Sequence, residues 1–263
     1  MDSTTTLLVA RRDGVVTLTF NRPHRKNALT ARMIDDVGAV LADVERQTQD
    51  RVLVLTGAGG EFCSGADLSD PDSPASADAG SALTRVRRVG DIALALHRLR
   101  VPTIAKVDGV AVGAGLGLAL GCDLVVASER ARLSTIFVRR ALSPDNGTSW
   151  LLPRLVGLAR AKELAFLGDM TDAATAKEIG LVGRVVPVDA LDGAVDELAT
   201  RLADGPSLAL SLTKKLLDDA WTTSLVDALE HEAQAQALNL AGPDTAEAMR
   251  AFLDKRAPRF RRG

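Results

Sequence analysis

The sequence predicts an α/β fold, because short apolar runs alternate with segments of helical periodicity. Residues 15–20, VVTLTF, form a short β-branched run after a turn at residues 12–14, as expected of a strand. Residues 52–56, VLVLT, are continuously apolar and end at the glycines of residues 57–60, which is typical of a strand buried on both faces. Such alternation implies parallel strands joined by crossover helices.

Helical periodicity dominates the second half of the chain. A first helix follows Thr30, a suitable N-cap, and its apolar residues recur with a helical period through Val44. We therefore divide the chain into a mixed unit of residues 1–195 and a helical region of residues 196–263, whose apolar faces are expected to be covered by oligomerisation. The remaining predicted elements are strands at 103–107, 124–127 and 181–186, a short helix after residue 117, and helices at about 82–99, 146–154, 158–167, 172–179, 189–202, 206–220, 224–240 and 243–254.

The composition is that of an ordinary globular protein, and it argues against several functions. The 263 residues are 46% hydrophobic and 25% charged, and 32 Lys and Arg against 34 Asp and Glu give a formal net charge of −2. With no basic excess, 3% aromatic residues and no tyrosine, binding to nucleic acid or an anionic membrane is not expected. Cys63 and Cys122 form no metal or redox motif and are expected to be small buried residues. No secretory signal or membrane span is recognisable, so a cytoplasmic location is expected.

Two glycine-rich segments are candidates for binding through backbone N–H groups. Residues 57–60, GAGG, end one strand, and residues 113–117, GAGLG, open a helix. A dinucleotide-binding G-x-G-x-x-G motif would need glycine in place of Leu118, and a P-loop would need a lysine after the glycines. Two backbone-donor sites remain, near residues 64–67 and 113–115, that together would hold an oxyanion. The alternative is that these glycines only allow helices to pack closely on the sheet.

Two other features receive no catalytic assignment. The three histidines, His24, His97 and His231, accompany no G-x-S-x-G motif, so a Ser-His-Asp triad has little support. Residues 69–81, SDPDSPASADAGS, are of low complexity and cannot bury apolar surface. They form either a mobile functional loop or a solvated connector.

Several segments, taken together and in order, resemble the crotonase (enoyl-CoA hydratase/isomerase) superfamily. The resemblance implies an α/β spiral of ββα units with a C-terminal helical region, residues 1–195 binding acyl-CoA and residues 196–263 forming trimers. It also implies a homotrimer or a dimer of trimers, no metal, and no cofactor beyond the coenzyme A thioester that is the substrate. The matching segments are NRPHRKNAL (21–29), GEFCSGADL (60–68), VDGVAVGAG (107–115), CD (122–123), SPDNG (143–147), LPRLVG (152–157), GLV (180–182) and FLDKR (252–256).

The resemblance gives the two glycine-rich segments a use. The backbone N–H groups of Ala66 and Ala114 match the positions that hold the thioester oxygen as an enolate, and such preorganised donors are the chemistry that removal of an α-proton requires. The resemblance also implies contacts with coenzyme A. Arg25 or Lys26 would meet its phosphates, and the backbone around Asp67 and Leu68 would border its adenine. Phe252 and Lys255 would reach the nucleotide of a neighbouring subunit, and Ala28 is a further predicted contact.

The acid–base residues indicate which reaction is catalysed. Hydratases of this superfamily use two glutamates, and the matching positions here are Gly117 and Phe137, neither of which can transfer a proton. Asp145 matches the proton-shuttling acid of the isomerases, including the epoxyphenylacetyl-CoA type. The sequence therefore predicts an enoyl-CoA isomerase that uses one carboxylate, in an apolar acyl pocket formed by Phe137, Leu142 and Trp150, which would raise the pKa of that carboxylate.

Alternatives to this interpretation remain. One alternative is an enoyl-CoA hydratase that uses an unassigned base. The other is a protein that binds acyl-CoA and catalyses no reaction. Asp145 is also placed to be the N-cap of the helix at residues 146–154. Arg140 would lower the pKa of Asp145, and weaken it as a base, if its guanidinium pointed at that carboxylate.

Overall fold

The computed structural model describes residues 5–70 and 82–260. The strand predictions are confirmed, except that the strand predicted at residues 181–186 forms only at its C-terminal end. In the described residues the strands are β1 (Leu7–Arg12), β2 (Val15–Phe20), β3 (Val52–Gly57), β4 (Thr103–Val107), β5 (Val110–Val112), β6 (Leu124–Ser128), β7 (Arg132–Ser134), β8 (Thr171–Asp172) and β9 (Arg184–Val186).

The strands form two sheets. The larger has the order β1-β2-β3-β4-β6-β9, and the smaller has the order β5-β7-β8. In the larger sheet β1 and β2 form an antiparallel hairpin, and each later pair is parallel. The hairpin turns at Asp13 and Gly14, whose φ angles of 50° and 83° are the left-handed values that a tight Asp-Gly turn requires.

Helices connect the parallel strands and make up most of the chain after residue 143. The first helix begins after Thr30, whose hydroxyl accepts a hydrogen bond from the Met33 N–H at 3.2 Å, so the predicted cap is confirmed. Among the described residues the helices are α1 (Ala31–Arg46), α2 (Ala82–His97), α3 (Ala114–Leu120), α4 (Thr148–Val156), α5 (Leu158–Leu167), α6 (Ala173–Glu178), α7 (Leu191–Ala203), α8 (Ser207–Asp219), α9 (Leu225–Ala241) and α10 (Pro243–Leu253).

The core lies on both faces of the large sheet. Leu53 and Leu55 of β3 belong to the main apolar cluster, whereas Val52 and Val54 belong to a second cluster with α7 on the opposite face. This alternation confirms that the apolar run of β3 is buried on both sides. Cys63 and Cys122 are buried free thiols, as expected.

The predicted division of the chain at residue 195 falls inside a helix. This position lies inside α7, and residues on both sides of it, from Leu191 to Ala203, pack against the sheet in the second apolar cluster. A helix that buries one continuous apolar face against a sheet belongs to one structural unit. The apolar core on this face of the sheet therefore continues to Ala203, and the separate roles of the two predicted regions stay a prediction.

The C-terminal helices leave much apolar surface uncovered in the single chain. Trp221 is 65% exposed, Leu225 75%, and Phe252 80%. No helix within the described ranges is long and apolar enough to cross a membrane. Most of the low-complexity segment at residues 69–81 lies outside the described residues, so its two interpretations stay open.

The loop before α1 depends on a buried asparagine, which gives a first prediction. Asn27 is fully buried. Its side-chain oxygen accepts from the Arg22 N–H at 2.8 Å, and its side-chain amide donates to the carbonyls of Ala58 at 2.9 Å and Glu61 at 2.6 Å.

Replacing Asn27 by Ala leaves these groups unpaired, and we expect the free energy of unfolding to fall by about 2–4 kcal/mol. Urea unfolding followed by tryptophan fluorescence measures this. Asn239→Ala, at a partly exposed position on α9, is the control, and an equal stability of both variants would contradict the prediction.

Candidate active site

The candidate site is built around residues 63–67, which are hydrogen-bonded along both sides. On one side the Leu29 N–H donates to the Gly65 carbonyl and the Asp67 N–H donates to the Leu29 carbonyl, each at 2.8 Å. On the other side Cys63 pairs with β5, donating to the Val110 carbonyl at 2.8 Å and accepting from the Val112 N–H at 3.0 Å. This segment therefore joins the loop before α1 to the strand that leads into α3.

The two candidate oxyanion donors lie on segments that are in contact. A Cβ atom added to Gly65 would lie 2.9 Å from the Val112 carbonyl oxygen and 3.6 Å from the Ala114 nitrogen. Gly113, with φ 56° and ψ −123°, turns the chain between β5 and α3 in a conformation that favours glycine. Within residues 5–70 and 82–260, neither the Ala66 nor the Ala114 N–H donates a hydrogen bond. The structure brings these two segments together and uses neither amide in a hydrogen bond of its own among the described residues.

Asp145 is a partly buried carboxylate, and no cation among the described residues forms an ion pair with it. Its Oδ1 atom is buried and has no hydrogen-bond partner among the described groups. Burial raises the pKa of the Asp145 carboxyl to about 6. A hydrogen bond from its own backbone N–H lowers this pKa, but burial has the larger effect. The Arg140 guanidinium instead donates to the Arg139 carbonyl at 3.3 Å, so the predicted lowering of the pKa by Arg140 is not found.

The interpretation of Asp145 as a helix N-cap is wrong. Helix α4 begins at Thr148, two residues later than predicted, and Gly147 precedes it without a side-chain cap. Asn146 and Gly147 have φ angles of 50° and 76°, and the Thr148 N–H donates to the Asp145 carbonyl at 2.9 Å. These four residues form a tight turn suited to an Asn-Gly pair, which leaves the Asp145 carboxylate free of the helix.

This turn packs against α3 through Asn146, a residue that the sequence analysis did not single out. The Asn146 side-chain amide donates to the Ala114 carbonyl at 2.8 Å. A Cβ atom added to Gly117 would lie 2.8 Å from the Asn146 carbonyl oxygen and 3.0 Å from its Cβ. The turn therefore occupies the space that any side chain at residue 117 would need. The Asn-Gly dipeptide itself was the available sequence signal for a turn here.

The three residues predicted to form the acyl pocket have different surroundings. Phe137 is buried, and its ring lies 3.9 Å from the position that a Cβ atom of Gly113 would take. Leu142 is 52% exposed in the single chain. Trp150 packs edge-on against His97, with 5.4 Å between ring centroids. It lines, with Gly147, a cavity of about 760 Å³ between α2, α4 and α8, to which Phe137 and Leu142 do not contribute.

Five of the predicted coenzyme A contacts lie together. The Ser64 N–H donates to the Lys26 carbonyl at 3.0 Å, and its hydroxyl donates to the Arg25 carbonyl at 3.3 Å, so the basic loop borders the segment of residues 63–67. The five predicted contact residues in this group are Arg25, Lys26, Ala28, Asp67 and Leu68.

Two of these charged residues are already paired within the chain. The Lys26 ammonium lies 2.9 Å from the Glu61 carboxylate, and the Arg22 guanidinium lies 2.9 Å from the Asp67 carboxylate. Burial raises the pKa of Asp67, but hydrogen bonds from Ser69 and Arg22 outweigh it and hold that pKa below its usual value. Arg22 and Glu61 were not singled out by the sequence analysis.

The two C-terminal candidates for coenzyme A binding are exposed at the far end of the chain. Phe252 is 80% exposed near the end of α10, a helix that packs against α9. Lys255 follows α10 with an exposed side chain. The structure of one chain shows no contact between these residues and the described part of the basic loop, so their role stays a prediction about the assembled protein.

Comparison with known proteins identifies the family. The family model described as enoyl-CoA hydratase/isomerase matches residues 10–263. This chain belongs to the enoyl-CoA hydratase/isomerase family. The resemblance to the crotonase superfamily and its fold is thereby confirmed.

Relatives in the enoyl-CoA hydratase/isomerase family carry the names of two reactions. The chain is 41% identical to 1,2-epoxyphenylacetyl-CoA isomerase of Escherichia coli (strain K12) over 251 residues, 94% of this chain and 95% of that protein. It is 36% identical to a probable enoyl-CoA hydratase of Rhodobacter capsulatus over 250 residues, covering 94% and 95%. A solved structure of a putative enoyl-CoA hydratase from Streptomyces coelicolor A3(2) matches with a TM-score of 0.93 at 40% identity, covering 100% of this chain and 96% of that chain.

The close contact at Gly117 gives a second prediction. We expect Gly117→Ala to lower the free energy of unfolding by about 1–3 kcal/mol, because the added Cβ must displace the backbone of the turn at residues 145–148. The matched control is Gly193→Ala in α7, where an added Cβ has nothing within 4 Å. In that helix alanine should be neutral or stabilise by up to about 1 kcal/mol. Equal effects of both variants in urea unfolding would contradict the packing described here.

Proposed function

We propose that the protein is an enoyl-CoA isomerase that shifts a 3,4 double bond of an acyl-CoA into the 2,3 position, with Asp145 as its proton shuttle. The observation that carries this proposal is the Asp145 carboxylate, whose Oδ1 atom is buried without a hydrogen-bond partner among the described groups and whose pKa is raised by burial to about 6, on a turn bonded to the α3 residue Ala114. Gly117 and Phe137 supply no second carboxylate. One base that both removes and returns a proton suits isomerisation, whereas hydration by the mechanism of the family requires a pair.

The reaction proceeds in two proton transfers. Ionised Asp145 takes a proton from C2 of the 3-enoyl thioester, and the electrons of that bond move onto the thioester oxygen as a dienolate. The N–H groups of Ala66 and Ala114 stabilise this negative charge, each contributing roughly 10²–10³ in rate. Protonated Asp145 then returns the proton to C4, which leaves the double bond between C2 and C3 and consumes no water.

Coenzyme A binding in this proposal uses two parts of the protein. Arg25, Lys26 and Ala28, with the backbone at Asp67 and Leu68, would border the nucleotide and phosphates. Phe252 and Lys255 would reach the nucleotide in a neighbouring subunit, because the apolar surfaces of α8 to α10 would pack in a trimer or a dimer of trimers. The named activity of the Escherichia coli relative favours aryl-substituted acyl groups among the substrates to be tested.

Absorbance assays on two substrates test this function. A 3-enoyl-CoA and a 2-enoyl-CoA, each with an aliphatic and a phenyl-substituted acyl group, are followed by the absorbance of the conjugated enoyl group. Rising absorbance from the 3-enoyl substrate supports isomerisation. Falling absorbance from the 2-enoyl substrate would instead establish hydration, and no change despite calorimetric binding would establish an acyl-CoA-binding protein without turnover.

The role of Asp145 gives a third prediction. Asp145→Asn should reduce isomerisation at least about 100-fold while leaving acyl-CoA affinity nearly unchanged, since the amide cannot accept the proton. In the wild-type protein kcat/KM should rise with pH and level off above about 6, because only the ionised carboxylate is a base. The exposed Asp189→Asn is the control and should keep the wild-type profile. Full activity of Asp145→Asn would remove this residue as the base.

The C-terminal contact gives a fourth prediction. Lys255→Gln removes the charge but keeps most of the length of the side chain, and we expect it to weaken coenzyme A binding by about 3- to 10-fold. Calorimetry measures the affinity, with Lys162→Gln on α5 as a matched control at an exposed lysine. An unchanged affinity would show that the C-terminal segment does not reach the nucleotide.

A further inference from the structure

We propose that Asn146 is a positioning residue. It fixes the position of the Asp145 carboxylate, the proton shuttle, relative to the Ala114 N–H, one of the two oxyanion donors. This inference rests on the proposed function and concerns the same site. The residue adjoins Asp145 in the chain, and its side-chain amide donates to the carbonyl of Ala114 at 2.8 Å. One side chain thus joins the turn that carries the base to the first residue of α3, whose N–H is the candidate oxyanion donor.

The surroundings of Asn146 restrict its movement. Asn146 is 4% exposed, and its backbone atoms are in the close contact with Gly117 described above. The φ angle of 50° is one that asparagine adopts more readily than most residues. The turn therefore has little freedom to shift along α3 while this contact and this hydrogen bond are present.

The hydrogen bonding of Asn146 is incomplete, which argues against a purely structural role. Its Oδ1 atom is buried and has no hydrogen-bond partner within the described part of the chain. A buried amide with an unpaired oxygen is destabilising compared with a residue that places no polar atom there. The side-chain amide of Asn146 does make one hydrogen bond, to the Ala114 carbonyl. This bond connects the turn that carries Asp145 to helix α3.

The expected effect on catalysis follows from preorganisation. Oxyanion donors lower the barrier only if they are already aligned with the developing charge, and displacements of about 1 Å cost as much as 100-fold in rate. Without the bond from Asn146, the first turn of α3 and the Asp145 turn would move independently. Binding of coenzyme A, which uses other residues, should be almost unaffected.

Two variants at Asn146 test the inference. Asn146→Gly keeps the left-handed backbone accessible, adds no charge and removes the donor. Asn146→Asp keeps the shape but places a carboxyl group against the Ala114 carbonyl, where it donates a hydrogen bond only when protonated. Asn239→Asp, at a partly exposed position on α9, adds the same charge outside these contacts and is the matched control.

The readouts are kcat, KM, their pH profiles, exchange of the C2 proton with solvent deuterium, and the thermal midpoint. For Asn146→Gly we expect kcat and exchange to fall by about 10- to 100-fold, with KM within about threefold and the shape of the pH profile unchanged. For Asn146→Asp the profile should become bell-shaped, because activity declines again at higher pH as the new carboxyl ionises and stops donating to the Ala114 carbonyl.

Other results would overturn the inference in distinguishable ways. If Asn146→Gly keeps the wild-type kcat, Asn146 does not position the site. The same conclusion follows if both variants lower the thermal midpoint but the folded protein keeps the wild-type kcat and pH profile. If Asn146→Asp does not fold, Asn146→Gly and its exchange rate decide the matter alone. If the wild-type protein itself neither isomerises 3-enoyl-CoA nor exchanges the C2 proton, the proposed function fails and this inference fails with it.

Discussion

The placement of the whole site depends on the backbone hydrogen bonds along both sides of residues 63–67. These bonds connect the loop before α1 to β5, and β5 leads directly into α3. The N–H groups of Cys63, Ser64 and Asp67 are used in this pairing, whereas the N–H of Ala66 makes no hydrogen bond within the described residues. The same pairing that completes the fold therefore creates a free donor beside the one at Ala114, without a side chain dedicated to the purpose.

The charge distribution of the site follows from which groups are paired. Arg22 is bonded to Asp67 and Lys26 to Glu61, so these cations stand near the segment of residues 63–67 but are partly neutralised. No ion pair within the described ranges involves Asp145, and its pKa rises as a result of burial. Negative charge on a thioester oxygen would then be balanced by amide dipoles, which do not lower the basicity of the shuttle as a guanidinium would.

Local sequence patterns predicted most elements, but not how distant elements meet. The cap at Thr30 and the buried strand β3 were recognisable because both depend on neighbouring residues alone. The start of α4 was predicted too early, because Asn146 and Gly147 adopt left-handed conformations that delay the helix. The bond from Asn146 to Ala114 joins residues 32 positions apart, so no local pattern could reveal it. The residues proposed to contact coenzyme A from a neighbouring subunit depend on an assembly that no single chain displays.

The absence of space at Gly117 also bears on how members of this family exchange one reaction for another. An acidic side chain at this position would meet the backbone of the Asp145 turn, not merely a neighbouring side chain. Backbone atoms cannot be trimmed by a second substitution, so the turn would first have to be rebuilt or shortened. A carboxylate at residue 117, which the proposed chemistry does without, would therefore require the backbone of this turn to move and not only the replacement of one side chain.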